Sequence, residues 1–217
     1  PHISSEPAKM TEVYRAAVRK NALIIFPFAA LGLIFAQPLI TLLYTETYLG
    51  SVPFFRVYLL NLPLRVATYG IIFMALHKTR YIMLNSIITL GLNLVLNLIL
   101  VRLIGMMGAV IATVIVTWIS VAVYLYWMRH KLGLDLKELF PLKALLKTAL
   151  VAAISALPAY AALWIFGRGW TLQFVALLCY LTAFVILGKL SNAILPYDIA
   201  YAQKLWAQLK TRVVKAR

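Results

Sequence analysis

Five stretches of this chain run for about 20 residues or more without a single Lys, Arg, Asp or Glu: Asn21–Thr45, Tyr81–Val101, Leu103–Met128, Thr148–Gly167 and Gly169–Gly188. A sixth, Val57–His77, is interrupted only by Arg65. A bilayer core about 30 Å thick needs roughly 20 apolar residues in a helix. Apolar residues run around the whole circumference of these segments, as lipid-embedded helices require and one-faced surface helices do not. Alternating ten-residue strands are absent, and lipid admits only helices or closed barrels. The expected fold is therefore all-α: a polytopic bundle of six transmembrane helices.

The spans fall at about 21–45, 54–77, 81–102, 105–128, 145–167 and 169–189, within a bundle covering 21–190. A basic lead-in helix over 1–20 precedes it, and a basic tail over 191–217 follows. In the tail, Ile199, Ala202, Leu205, Trp206, Leu209 and Val213 share one helical face, as in an interfacial amphipathic helix or a simple solvated anchor. The chain opens on Pro1-His2 rather than Met, which suggests a processed or truncated piece.

With 21 Lys and Arg against 6 Asp and Glu, the formal charge is +15. In a chain that is 64% hydrophobic and 12% charged, that excess is topological rather than a nucleic-acid footprint. Seventeen of the 21 basic residues fall on one set of alternate loops and ends, among them Arg15, Lys78, Arg80, Arg129 and Lys189. Arg56, Arg102 and Arg168 fall on the other set. This asymmetry puts both termini in the cytoplasm, with the basic loops against anionic headgroups of the cell (inner) membrane.

Catalytic and metal chemistry find no foothold. Cys179 is the single cysteine, so neither an internal disulfide nor a cysteine metal site can be built. His2, His77 and His130 have no carboxylate or nucleophile at motif spacing, and no glycine-rich phosphate loop follows a strand. No enzyme activity, cofactor or metal is expected. A lipid-glycan polymerase or ligase would need a large extracytoplasmic loop, for which the chain leaves no length.

The spans themselves carry polar groups. Arg65 lies near the middle of its span, nine residues after Arg56, or about 13 Å of helix. All six acids, Glu6, Glu12, Glu46, Asp135, Glu138 and Asp198, lie outside the apolar runs. A charge at that depth is expensive, so Arg65 either meets an anionic substrate on its path or is paired or snorkelled structurally. Asn85, Ser86, Thr89, Asn93 and Asn97 share one face of the third span. They serve either as glue between helices or as the lining of a polar path. Gly108 and Ala112 form a small-residue ridge for close helix packing. Pro27 and Pro38 in the first span, and Pro53 and Pro63 around the second, remove backbone bonds and favour kinks. Transporters often place such breaks near their binding sites.

Leu92-Asn93-Leu-Val-Leu-Asn97-Leu-Ile-Leu, followed by Ile104-Gly105-Met-Met-Gly108-Ala109-Val-Ile-Ala112-Thr113, resembles the Asn-rich helix, tight turn and G-x-x-G-A-x-x-A-T helix of Wzx-type oligosaccharide-lipid flippases. These belong to the multidrug/oligosaccharidyl-lipid/polysaccharide exporter superfamily. Ala75-Leu-His77-Lys78-Thr79-Arg80 resembles the family's cytoplasmic turn, and Leu43-Tyr44-Thr-Glu46-Thr-Tyr48 the preceding extracytoplasmic loop. His77 stands where the family commonly has Gly. The likeness covers roughly residues 20–130. It implies a C-terminal portion of a 12–14-helix transporter, with an N-terminal half as partner. It also implies alternating-access translocation of a polyprenyl-pyrophosphate-linked oligosaccharide for O-antigen, capsule or exopolysaccharide, with Arg65 facing the anionic head. The competing readings are a drug/cation antiporter of the same superfamily, which would normally want intramembrane carboxylates, and a non-catalytic membrane scaffold.

Overall fold

The computed structural model describes residues 7–166 and 169–195. The expected tail helix around Ile199–Val213 and Arg168 lie outside the described residues. Every regular element within them is helical. Six stretches are long and apolar enough to cross a membrane: Met10–Ile34, Glu46–Ala75, Arg80–Ile104, Met106–His130, Leu142–Leu163 and Thr171–Leu190.

The first span begins earlier than hydropathy placed it. Helix α1 runs unbroken over Pro7–Ile34, so the lead-in and the span are one rod. Met10, Tyr14, Val18 and Ala22 are all buried. Their four-residue spacing puts them on one face and turns the intervening Arg15, Arg19 and Lys20 elsewhere. Nothing at Lys20 gives the helix a reason to stop. It stops instead at Ile34, and α2 (Ala36–Tyr44) follows. The cause is Pro38, whose ring replaces the N–H that would bond the Ile34 carbonyl and crowds that same group. Pro27 sits inside α1 without ending it.

The second span repeats the lesson more severely. A 3₁₀ turn over Glu46–Ser51 leads into α3 (Val52–Tyr58), with Pro53 in its first turn. The chain then winds as a 3₁₀ helix over Leu59–Val66, turns extended at Ala67 (φ −123°, ψ 142°), and resumes as α4 (Gly70–Ala75). The α winding gives way at Leu59, four residues before Pro63, where the missing N–H would have been received. This span is thus discontinuous, with Arg65 inside the tightened part.

At the end of α4, His77 takes φ +55°. Its N–H reaches Met74 O at 3.1 Å, and Lys78 N–H reaches Phe73 O at 2.7 Å, the pair of bonds that closes a helix through a left-handed residue. A non-glycine residue there carries about 1 kcal/mol of strain. His77→Gly is therefore expected to raise the thermal midpoint in detergent by about 2–4 °C. A lowered midpoint would show that the imidazole makes a compensating contact.

Two 25-residue helices follow, α5 (Arg80–Ile104) and α6 (Met106–His130), joined by Gly105 alone. Gly105 has φ +64° and ψ −147°, a conformation that only glycine adopts without strain. The two helices pack along each other. Gly108 lies against the Leu100 carbonyl and the Val101 nitrogen, and Ala112 and Val116 continue the buried ridge. A short α7 (Leu136–Leu139) is capped by Asp135, whose carboxylate accepts from Lys137 N at 2.9 Å. Arg15 Nη1 donates to Glu138 O at 3.3 Å, tying α1 to this loop. Around that end, Tyr14, Tyr69, Phe73, Tyr81, Tyr124, Trp127 and Phe140 form a continuous aromatic cluster with ring centroids 5.2–6.4 Å apart. Such amphipathic rings suit a membrane–water boundary.

The chain divides into two compact units, residues 1–145 and 146–217, with the boundary inside α8 (Leu142–Phe166). In the second unit, α8 and α9 (Trp170–Leu190) are joined by a bond from the Tyr180 hydroxyl to Ala152 O at 3.4 Å. Ser155, Ala159 and Ala176 there are fully buried. Small residues at such contacts permit close backbone approach.

Candidate substrate path

Arg65 is exposed, whereas the adjoining Val66 and Ala67 are buried. Among the described residues it has no ion-pair or hydrogen-bond partner. Its level follows from α1. Asn21 Nδ2 donates to Val66 O at 3.2 Å, and Asn21 lies eleven residues from Met10 and thirteen from Ile34, the ends of the first span. Arg65 therefore sits about half-way along α1, some 16 to 20 Å from either end. Arg56 is exposed in the last turn of α3, and among the described residues neither a hydrogen bond nor an ion pair links it to Arg65.

The polar stripe of α5 is mostly satisfied at home. Ser86 donates to Ile82 O at 3.0 Å, and Thr89 to Asn85 O and Ser86 O at 2.8 and 3.0 Å. Asn97 Nδ2 donates to both Asn93 O and Asn93 Oδ1, at 2.8 and 2.9 Å. On α6, Thr113 and Thr117 return to Ala109 O and Thr113 O at 3.0 and 2.7 Å. Hydroxyls bonding back one turn are the usual economy of membrane helices. Asn85 alone crosses to the neighbouring helix: it is 4% exposed and donates to Ser120 Oγ at 2.6 Å. Among the described residues the buried Asn85 Oδ1 atom has no hydrogen-bond partner. The Asn93–Asn97 pair is two helical turns from Asn85, about 12 Å along α5. The polar groups thus form separate stations rather than one cluster.

Lys78, in the turn before α5, and Arg80, its first residue, are both exposed. The Arg80 guanidinium lies over the neighbouring Tyr81 ring, 5.0 Å from its centroid, and Nη2 donates to the Tyr81 hydroxyl at 3.2 Å. Two apolar clefts flank the discontinuous span. One, of about 410 Å³, lies between α1 (Met10, Tyr14, Asn21) and the stretch from Thr68 to Ala75. The other, of about 390 Å³, is bounded by Pro63, Leu64 and Tyr69 with Trp118 and Leu125 of α6.

Two polar residues of the bundle, Asn21 (part-buried) and Asn61 (buried), are not marked by charge or hydropathy. Asn21 stood at the edge of a span drawn from charge, whereas the helix places it mid-depth. Asn61 is 4% exposed, with Oδ1 unpartnered, inside the 3₁₀ segment. An Asn two residues before a mid-span Pro63 was the available signal. Among the described residues no group of His, Cys, Asp and Glu is arranged to hold a metal ion.

Six apolar crossings, one of them discontinuous around a mid-depth cation, define a polytopic α-helical membrane protein. The profile of the family "Lipid II flippase MurJ" matches residues 2–197. The chain belongs to that family, among the lipid-linked flippases of the exporter superfamily suggested by the Asn-rich and Gly-x-x-Gly-Ala motifs. The Wzx-type branch is not specifically matched. No curated protein and no solved structure matches the chain.

Proposed function

We propose that this chain takes part in moving lipid II, a polyprenyl-pyrophosphate-linked glycan, across the cell membrane without chemical conversion. The observation that carries the reading is the family match over nearly the whole chain. Arg65 suits the role: a guanidinium with no described acid beside it offers charge-assisted bonds to a pyrophosphate. Its position in the discontinuous span supports contact with the charged head of the cargo, and rocking of one lobe against another, the remaining half of the transporter, would open the path alternately. The excess of basic residues on one set of alternate loops supports a bundle in the inner membrane with both chain ends cytoplasmic.

A surface-polysaccharide precursor is the second reading, favoured by the Asn93–Asn97 and Gly105–Thr113 motifs. Cation-driven drug efflux has less support, since all six acids lie outside the apolar runs.

A photoreactive lipid II analogue tests the choice of cargo in membranes containing the protein. Crosslinking to this chain is expected, and excess unlabelled lipid II should abolish it while an O-antigen lipid precursor should not. Crosslinking suppressed only by the O-antigen precursor would transfer the assignment to the second reading. Crosslinking that neither competitor suppresses would refute both.

A further inference from the structure

Helix α1 and the 3₁₀ segment run antiparallel and touch at two fixed points. Near one end, Gly32 faces Leu59 so closely that a Cβ on the glycine would lie 3.0 Å from Leu59 Cδ1. At the other, Asn21 Nδ2 holds the Val66 carbonyl at 3.2 Å. On α1 these points are eleven residues apart, about 16 Å at 1.5 Å per residue. On the segment they are seven residues apart, about 14 Å at the 3₁₀ rise of roughly 2.0 Å. Wound as an α-helix, the same seven residues would span only about 10 Å and could not keep both contacts. The stretched winding and the two contacts therefore specify each other.

The Val66 carbonyl also needs its partner. Ala67 is extended, so no following helical turn supplies an N–H, and a bare carbonyl at membrane depth costs several kcal/mol. Asn21 removes that cost only while the segment stays stretched.

We propose that Asn21 is a positioning residue: its amide pins the far end of the 3₁₀ segment and thereby sets the height and direction of the Arg65 guanidinium. Pro63 keeps the segment from closing into a full α-helix, so the pin decides where its far end stands. Released, that end can slacken toward α-like rise and twist, which over the six steps from Leu59 to Arg65 differ from the 3₁₀ values by about 3 Å and 120°, so Arg65 shifts by a distance on the order of 3 Å. The cleft lined by Pro63, Leu64 and Val66 gives the segment room to move. The functional value of this device rests on the cargo role given to Arg65 above, but its test does not.

Spin labels at Leu33→Cys and Arg65→Cys, with Cys179→Ser to remove the native thiol, report the distance from α1 to the segment. With Asn21 present a single narrow distribution is expected. Asn21→Leu, which removes the donor at similar volume, should broaden it or shift it by about 3 Å or more, and Asn21→Gln should restore it. If the Leu variant fails to accumulate, Asn21→Ala carries the same expectation. A distribution unchanged in both donor-less variants overturns the proposal. Translocation is then measured with Arg65 intact. A changed distribution with undiminished translocation leaves the pin standing and overturns the cargo role of Arg65.

Discussion

Gly108→Ala is expected to cost about 1–3 kcal/mol and to lower the thermal midpoint in detergent by about 2–12 °C. The added methyl would collide with the Leu100 carbonyl and the Val101 nitrogen, which are backbone atoms of α5 with no rotamer to escape into. Relief requires the α5–α6 hairpin to open along the ridge that Ala112 and Val116 continue. Gly91→Ala is the matched control, because a Cβ there meets nothing within 4 Å and alanine is the better helix former. If both substitutions left the midpoint alike, close packing at Gly108 would not be what holds the hairpin.

Arg65→Ala is expected to reduce lipid II translocation about 10- to 100-fold, the equivalent of losing one charge-assisted contact worth about 1.5–3 kcal/mol. Protein levels should be unaffected, since the side chain is exposed and among the described residues has no partner to abandon. Arg65→Lys keeps the charge but not the planar fork, and should fall between the two. Translocation by Arg65→Ala at the parental rate, with normal membrane insertion, would remove Arg65 from the path.

The class of fold was legible because hydropathy counts residues, and lipid thickness converts that count into crossings. Winding was not. The run 57–77 reads as one span whether or not its backbone is continuous, and Pro63 advertises a kink without saying that the chain will tighten from Leu59 onward. Periodicity placed Asn85, Ser86, Thr89, Asn93 and Asn97 on one face, yet it does not reveal whether a side chain bonds across a helix pair or back to its own carbonyls. Only Asn85 does the former. Asn21 was overlooked for a related reason. Charge marked Asn21 as the start of the span, while burial of Met10, Tyr14 and Val18 carries the span eleven residues further, to Met10, and moves Asn21 toward its middle. The motif around Gly105 and Gly108 pointed to the superfamily but not to the cargo. Those glycines serve a hairpin turn and a helix contact, needs that are independent of what is carried.

The one-residue junction at Gly105 bears on biogenesis. Two rods of about 37 Å joined so tightly favour entry into the bilayer as a pair rather than one after the other. As a pair they carry the Asn85–Ser120 bond between them, so that amide need not face acyl chains.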